Sequence, residues 1–217
     1  FSPARLAVLK RLAGLPTMTD TEMTRELKAS MTDPSAPSPS VEAILHALIP
    51  FKYVDHTHTD AVVAISNSPD GETRLEEIYG GSVLILPYIM PGFVLAKQVF
   101  DKTRGLDWNS LEGIVLLHHG LFTFHDSAKD SYDKMIELVT RAEDYLRSIN
   151  AFDHLEEADY QPQPEDYLRL AQSRRAASQH FGAPMLTTWK LDKSSVGFSS
   201  INSIDSIATR GPVTPDH

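Results

Sequence analysis

His56 and His58 are the first residues of this sequence whose types and spacing could do chemistry. They stand two apart in residues 53–58, where the alternating pattern predicts a β-strand. Side chains at i and i+2 of a strand project from one face, so the two imidazoles could share a metal ion while Asp55 and Thr57 point away. A surface pair, or a pair engaged in hydrogen bonds, would show the same spacing. On the residues alone, both interpretations stay open.

A second histidine pair follows a strongly apolar segment. His118 and His119 end the run that begins at Ile114, and Gly120 comes next. Neighbouring residues of a strand face opposite sides, so one of the two histidines can join a site on a given face and the other is structural. The glycine permits the sharp exit that a position at the rim of a sheet needs.

Three histidines and one carboxylate would suit Zn²⁺ or a similar divalent ion with exchangeable positions. Glu42 is one candidate carboxylate, in the first turn of a predicted helix over 41–49 that Ser40 caps. Stabilisation of the helix dipole is the simpler interpretation of Glu42 on sequence grounds alone. Asp55 and Asp60 are alternatives, either as ligands or as acceptors that fix the histidine tautomers.

Composition narrows the classes of function. The chain has 217 residues, no Cys, nine His and a formal net charge of −9. Without Cys, a disulfide scaffold, a Cys nucleophile and a cysteine zinc finger are excluded, so any ion is held by nitrogen and oxygen. The negative charge argues against partners such as nucleic acid or an anionic membrane. No apolar run approaches the length of a membrane span, and we expect a cytoplasmic protein.

The order of elements predicts two regions. Strands alternate with helices over residues 1–150, which indicates an α/β layered domain. Within it, residues 61–65 could form either a buried strand or the start of a helix. Residues 151–217 are acidic at first, carry one plausible helix over 165–181, and are rich in Ser, Gly and Pro beyond 192. We interpret them as an appendage or a linker toward a further module.

Taken together, four motifs resemble the class II aldolase/adducin family. In order, they are Ser38-Pro-Ser-Val-Glu42 with His46 four residues later, Asp55-His-Thr-His58, Pro87-Tyr88 with Pro91-Gly92, and Leu116-Leu-His-His-Gly-Leu-Phe122. The resemblance covers about residues 38–150 and implies a three-layer αβα fold with a central, mainly antiparallel sheet. Beyond these motifs, the rest of the sequence is similar in particular to the aldolase part of bifunctional rhamnulose-phosphate aldolase/lactaldehyde dehydrogenase proteins.

The resemblance also implies roles for the residues. His56, His58 and His119 match the family's metal ligands, with Zn²⁺ the expected ion, and Glu42 matches the catalytic glutamate. That glutamate is expected to contact the metal at rest and to move when it acts as acid or base, for which its pKa must be raised. His118 is expected to be a neighbour only. The remaining histidines are interpreted as structural: His46, His125, His154 and His180.

By resemblance, the reaction is that of a metal-dependent aldehyde-lyase. It would cleave a ketose 1-phosphate, with rhamnulose 1-phosphate favoured, to dihydroxyacetone phosphate and lactaldehyde by way of a metal-stabilised enediolate. The partner is then a small sugar phosphate, and the family implies a homo-oligomer, often a tetramer. In the family pattern the loops that hold the substrate phosphate lie upstream of the position of Phe1.

Three alternatives remain. A sugar-phosphate epimerase on the same scaffold is disfavoured by Glu42, which the epimerases do not keep in its role. A non-enzymatic, adducin-like module is disfavoured by His56, His58 and His119 together. The third is the aldolase portion of a protein that is chiefly a short-chain dehydrogenase, although no glycine here forms G-x-x-x-G-x-G or G-x-G-x-x-G.

Overall fold

The computed structural model describes residues 1–151 and 156–211, which divide into two compact units, 1–149 and 150–211. The first unit holds every strand that the structure describes and all the candidate site residues. Among the described helices, none combines the length and the apolar composition that crossing a bilayer demands.

A four-stranded sheet forms the centre of the first unit. Its strands are β1 (Tyr53–Thr57), β2 (Val83–Leu86), β3 (Gly113–Leu116) and β4 (Gly120–His125), in the order β1-β4-β3-β2. The β1–β4 and β4–β3 pairs are antiparallel, and β3–β2 is parallel. The prediction of a mainly antiparallel central sheet is therefore confirmed.

Helices cover both faces of this sheet. One face packs its apolar residues against α4 (Asp60–Ser66), α5 (Gly71–Tyr79) and α7 (Ala128–Ser148). The other packs against α3 (Ala43–Leu48) and α6 (Phe93–Thr103). Outside that second layer lie α1 (Leu6–Ala13) and α2 (Asp20–Ala29). The unit is a three-layer αβα fold, as the resemblance implies.

Two elements beside the site differ in detail from the pattern-based expectations. Residues 61–65, left open between strand and helix, belong to α4, which buries Ala61, Val62 and Ile65 against the sheet. Helix α3 starts later than predicted, so Glu42 is its N-cap residue and not part of its first turn. The Ser40 hydroxyl accepts a hydrogen bond from the Glu42 N–H at 3.2 Å, which stabilises the turn that leads into the helix.

The second unit is helical where the structure describes it. It contains α8 (Pro164–Phe181), α9 (Lys193–Ser199) and α10 (Ile204–Ala208). Helix α8 starts with a capping box between Gln163 and Asp166 and is followed by Gly182 as its C-cap, yet none of its 18 residues is buried. The segment beyond 192, in which no periodicity is visible, thus contains two short helices.

Candidate metal centre

Four side chains meet at the end of the sheet where β1 stops. His56 lies on β1, and His58 follows the strand by one residue. His119 comes from the turn between β3 and β4, and Glu42 from the start of α3. Each residue offers one ligand atom, and these atoms all lie within 4.8 Å of one another. The residues proposed from sequence as ligands and catalytic carboxylate therefore share one site.

The distances within this group are short. The Nε2 atoms of His56 and His58 lie 2.9 Å apart. Glu42 Oε1 lies 2.9 Å from His119 Nε2 and 3.3 Å from His56 Nε2. Two donors that each bind zinc at about 2.1 Å in a tetrahedral arrangement are roughly 3.4 Å apart. The spacing is therefore close to that of donors around one small ion.

The backbone of β4 fixes the orientation of the His56 ring. Its Nδ1 donates a hydrogen bond to the carbonyl oxygen of Leu121 at 3.0 Å. In the neutral ring, this hydrogen bond leaves the lone pair on Nε2, the nitrogen that faces the other three side chains. The ring also stacks on Phe122, with 3.8 Å between centroids and 14° between planes. Phe122 is the residue paired with His56 across the two strands.

Gly120 leaves the space that His56 and His58 occupy. A Cβ at this position would lie 2.5 Å from the Thr57 carbonyl oxygen and 2.9 Å from ring carbons of both His56 and His58. Only glycine allows β4 to approach the ligand strand so closely. The sequence-based reason for this glycine, a sharp exit from the strand, is thus replaced by a steric one.

His119 and His118 have different surroundings, but strand alternation is not the reason: β3 ends at Leu116, so both histidines lie in the turn before β4 and not at the end of the strand as predicted. His119 is buried, with 1% of its side chain exposed, and faces Glu42. His118 is exposed and adopts a left-handed backbone conformation with φ of 59°. The ring Nδ1 of His118 lies 2.6 Å from Asn67 Oδ1, and the backbone N–H of His118 donates a hydrogen bond to Ser66 Oγ at 2.7 Å.

The histidines determine the ionisation of Glu42. Burial raises the pKa of its carboxyl, but hydrogen bonds that His119 and His56 donate when their Nε2 atoms carry a proton, together with the charges of the two rings, outweigh burial and hold the pKa well below its ordinary value. The carboxyl is therefore ionised in this arrangement, which is opposite to the raised pKa expected of an acid catalyst. Proton uptake by Glu42 requires that it first leave the two imidazoles.

The donor set fits a divalent cation. Three imidazole rings and one carboxylate offer donor atoms around a common point, and in the neutral His56 ring the hydrogen bond to Leu121 leaves the lone pair on the nitrogen that faces this point. A cation satisfies all four donors at once, whereas protons would have to be shared between facing nitrogens 2.9 Å apart. Nitrogen and carboxylate oxygen are the donors that Zn²⁺ and similar ions accept.

The alternative carboxylates lie elsewhere. Asp55 points to the opposite face of β1, where it accepts a hydrogen bond from Ser131 Oγ at 2.6 Å. Asp60 is the exposed first residue of α4. Neither belongs to the group of four.

Other histidines stay outside the group as well. His46 packs edge-on against Phe122 at 5.3 Å, and burial together with the adjacent His56 lowers its pKa. His125 pairs with Asp130 at 3.2 Å, and His180 contacts the ring of Phe181. His154 lies outside the described residues.

Two contributors were not found from the sequence. The stacking of Phe122 on His56 depends on the β1–β4 register, which no local pattern specifies. Asn67 is 51 residues from its partner His118, and no motif signals the contact. A register derived from the hydrophobic pattern of both strands could have found the first contact, but nothing local could have found the second.

The fold and the site together define an α/β domain with a candidate His₃Glu metal centre. Residues 15–146 match the family model described as the Class II Aldolase and Adducin N-terminal domain. The chain belongs to this family, whose aldolases normally use a divalent metal. The family also contains adducin-like members that are not enzymes.

The proteins that are similar to the chain include one solved structure and one relative from Bacillus subtilis (strain 168). A solved structure, the N-terminal class II aldolase domain of a conserved protein from Thermoplasma acidophilum, is 44% identical with a TM-score of 0.61 over 68% of this chain and 67% of that one. A protein of Bacillus subtilis (strain 168), named uncharacterized oxidoreductase YuxG, is 37% identical over 168 residues. Those residues make up 76% of this chain but only 24% of that relative, so the chain spans about a quarter of its length.

Proposed function

We propose that this chain is the aldolase domain of a divalent-metal-dependent lyase, with His56, His58 and His119 as ligands and Glu42 as the catalytic carboxylate. The observation that carries the proposal is the convergence of these four side chains, from three separate segments, on a class II aldolase fold. A scaffold without chemistry has no need to bring three imidazoles together with one half-buried carboxylate.

Bound at this site, a divalent ion, with Zn²⁺ the first choice, would supply Lewis-acid stabilisation for the negative charge that develops on substrate oxygens as a carbon–carbon bond breaks. The imidazoles suit that task because they are neutral ligands and leave the charge of an ion undiminished. His56 is held in the required tautomer by the Leu121 carbonyl. His119 is buried, which excludes water from its side of the site.

Glu42 is the residue placed to carry a proton. Its side chain is 17% exposed, so it lies at the boundary between the buried histidines and solvent. While it contacts His56 and His119 its carboxyl stays ionised and can accept a proton. Once it moves away from those contacts and from a bound ion, the influences that lower its pKa weaken and burial, which raises it, gains weight, so the carboxyl can hold the proton and return it.

We propose a ketose 1-phosphate as the substrate class, with rhamnulose 1-phosphate the first compound to test. Its cleavage yields dihydroxyacetone phosphate and lactaldehyde. Similarity to the class II aldolase domain of the Thermoplasma acidophilum protein supports the aldolase class. The choice of rhamnulose 1-phosphate is supported by the resemblance of the sequence to the aldolase part of the bifunctional rhamnulose-phosphate aldolases. By the same resemblance, we propose that the full-length protein assembles as a homo-oligomer, with a tetramer the first state to test.

The test is a comparison of His58→Ala, Glu42→Gln and His125→Ala with the wild type in the full-length protein. We expect about one divalent ion per aldolase domain in the wild type, no bound ion and no cleavage in His58→Ala, and bound ion without turnover in Glu42→Gln. His125→Ala is the matched control, because it removes a histidine that lies outside the group of four.

Elemental analysis and a coupled assay for dihydroxyacetone phosphate measure these outcomes. Rhamnulose 1-phosphate is compared with fuculose 1-phosphate as substrate. A wild type that holds no metal after reconstitution with Zn²⁺ contradicts the proposal, and full activity in Glu42→Gln removes that residue from the mechanism.

A further inference from the structure

Helix α4 connects the two segments that carry His58 and His119. The helix starts directly after the first of these ligands, since Thr59 is its N-cap and accepts a hydrogen bond from the Val62 N–H at 3.3 Å. Seven residues later it ends at Ser66, with Asn67 as the C-cap. Ala61, Val62 and Ile65 bury it in the core, so both of its ends have fixed positions.

The C-terminal end of α4 contacts the turn that precedes His119. Ser66 Oγ accepts a hydrogen bond from the backbone N–H of His118 at 2.7 Å. Asn67 Oδ1 lies 2.6 Å from Nδ1 of the same histidine and, as an amide oxygen, accepts a hydrogen bond from it. Two consecutive residues of one helix end therefore hold both the backbone and the side chain of one residue.

The residue held in this way has an unfavourable backbone conformation. His118 has φ of 59°, and a left-handed conformation at a non-glycine residue costs about 1 kcal/mol or more unless neighbours stabilise it. His119 follows immediately, so its direction depends on the conformation of His118. If His118 relaxed to an ordinary φ, the His119 imidazole would turn away from Glu42.

We propose that Asn67 and Ser66 are positioning residues of the metal site, which fix His119 relative to His58 by holding His118 in its left-handed conformation. Neither residue belongs to the group of ligands, and both act through the turn. The inference rests on the proposed function in one respect, the binding of a divalent ion by the four site residues.

The experiment is a calorimetric titration of metal-free, full-length protein with Zn²⁺. Asn67→Ala should weaken binding about tenfold, at the lower end of the 10- to 100-fold that loss of a direct hydrogen-bond partner of a metal ligand typically costs, because Asn67 acts on His119 only through His118. Asn67 itself has helical φ and ψ, so alanine fits its backbone. Asn67→Asp keeps the accepting oxygen and should restore binding to within about threefold of wild type.

Asn109→Ala is the matched control, since it makes the same chemical change at an exposed residue outside the site. It should bind Zn²⁺ as the wild type does. Ser66→Ala, which removes the other contact to His118, should weaken binding by a similar factor to Asn67→Ala. Thermal unfolding of each metal-free variant is measured in parallel.

The outcomes separate this inference from the proposed function. A wild type without Zn²⁺ affinity overturns both. A wild type that binds Zn²⁺ while Asn67→Ala binds it equally well overturns this inference alone. A weakened Asn67→Ala that Asn67→Asp does not rescue, with metal-free protein that unfolds at a lower temperature, assigns Asn67 a general structural role and likewise overturns the inference.

Discussion

The two histidine-bearing segments of the site are built in different ways. His56 and His58 come from a regular strand end, where alternation alone puts both rings on one face. His119 comes from a turn whose preceding residue has a left-handed conformation held by a distant helix end. A ligand pair on one strand is thus encoded within three residues, whereas the third ligand depends on contacts between residues about 50 positions apart.

Gly120 is where the two segments meet, so its replacement should have the largest effect. Gly120→Ala would bring a Cβ within 2.5 Å of the Thr57 carbonyl and 2.9 Å of both β1 histidine rings. We expect a loss of about 3 kcal/mol in the free energy of unfolding, at the upper end of overpacking costs, and at least about a 100-fold loss in metal affinity. Denaturant unfolding and metal titration measure the two quantities.

Gly14→Ala is the control for that substitution. Its Cβ would meet only one backbone oxygen, at the ordinary contact distance of 3.4 Å, and the residue has φ of −78°. It should leave metal affinity unchanged and stability within about 1 kcal/mol of wild type. Wild-type metal binding in Gly120→Ala would show that the two segments do not depend on this close approach.

Phe122→Leu should disturb the positions of His56 and His58 and leave the turn that carries His119 unchanged. The substitution removes the ring on which His56 stacks and leaves part of a buried volume empty. We expect a loss of about 1–2 kcal/mol in stability and about tenfold weaker metal binding. The measurements are again denaturant unfolding and titration with Zn²⁺.

Phe124→Leu is a matched control on the same strand and the same face. Phe124 is also fully buried, but it stacks on Phe51, at 5.0 Å, and not on a site histidine. It should lose similar stability and keep its metal affinity. If both variants lost metal equally, the effect would come from the core as a whole, and stacking on His56 would have no role of its own.

The difference between the His56–His58 segment and the turn that carries His119 also explains which parts of the site could be predicted from the sequence. Histidine spacing on β1 predicts a shared face because a strand has a period of two. Assignment of His119 over His118 came from resemblance, since alternation says only that the two differ. The contacts that make them differ, from Ser66 and Asn67, arise from tertiary packing and leave no trace in local sequence.

The fold was predictable to a similar depth. The antiparallel arrangement and the three layers follow the family pattern, and the alternation of elements indicated an α/β domain. The state of residues 61–65 was not decidable, because an apolar run of five fits a buried strand as well as a helix. In the structure this run packs against the sheet as helix α4.

The lowered pKa of Glu42 could not be predicted from the sequence either, since it depends on two hydrogen bonds from residues of other segments.

Ser131→Ala should have the smallest effect on the site and tests how well the two faces of β1 are separated. Ser131 Oγ donates to Asp55 at 2.6 Å on the face opposite His56. Its removal leaves the charge of Asp55 in place, so any change in metal affinity would have to pass through the strand backbone. We expect a stability loss of about 1 kcal/mol from the broken hydrogen bond and an affinity for Zn²⁺ within about twofold of wild type. A tenfold loss of affinity in this variant would mean that β1 transmits strain between its faces, and the ligand pair could then no longer be described as a local product of strand alternation.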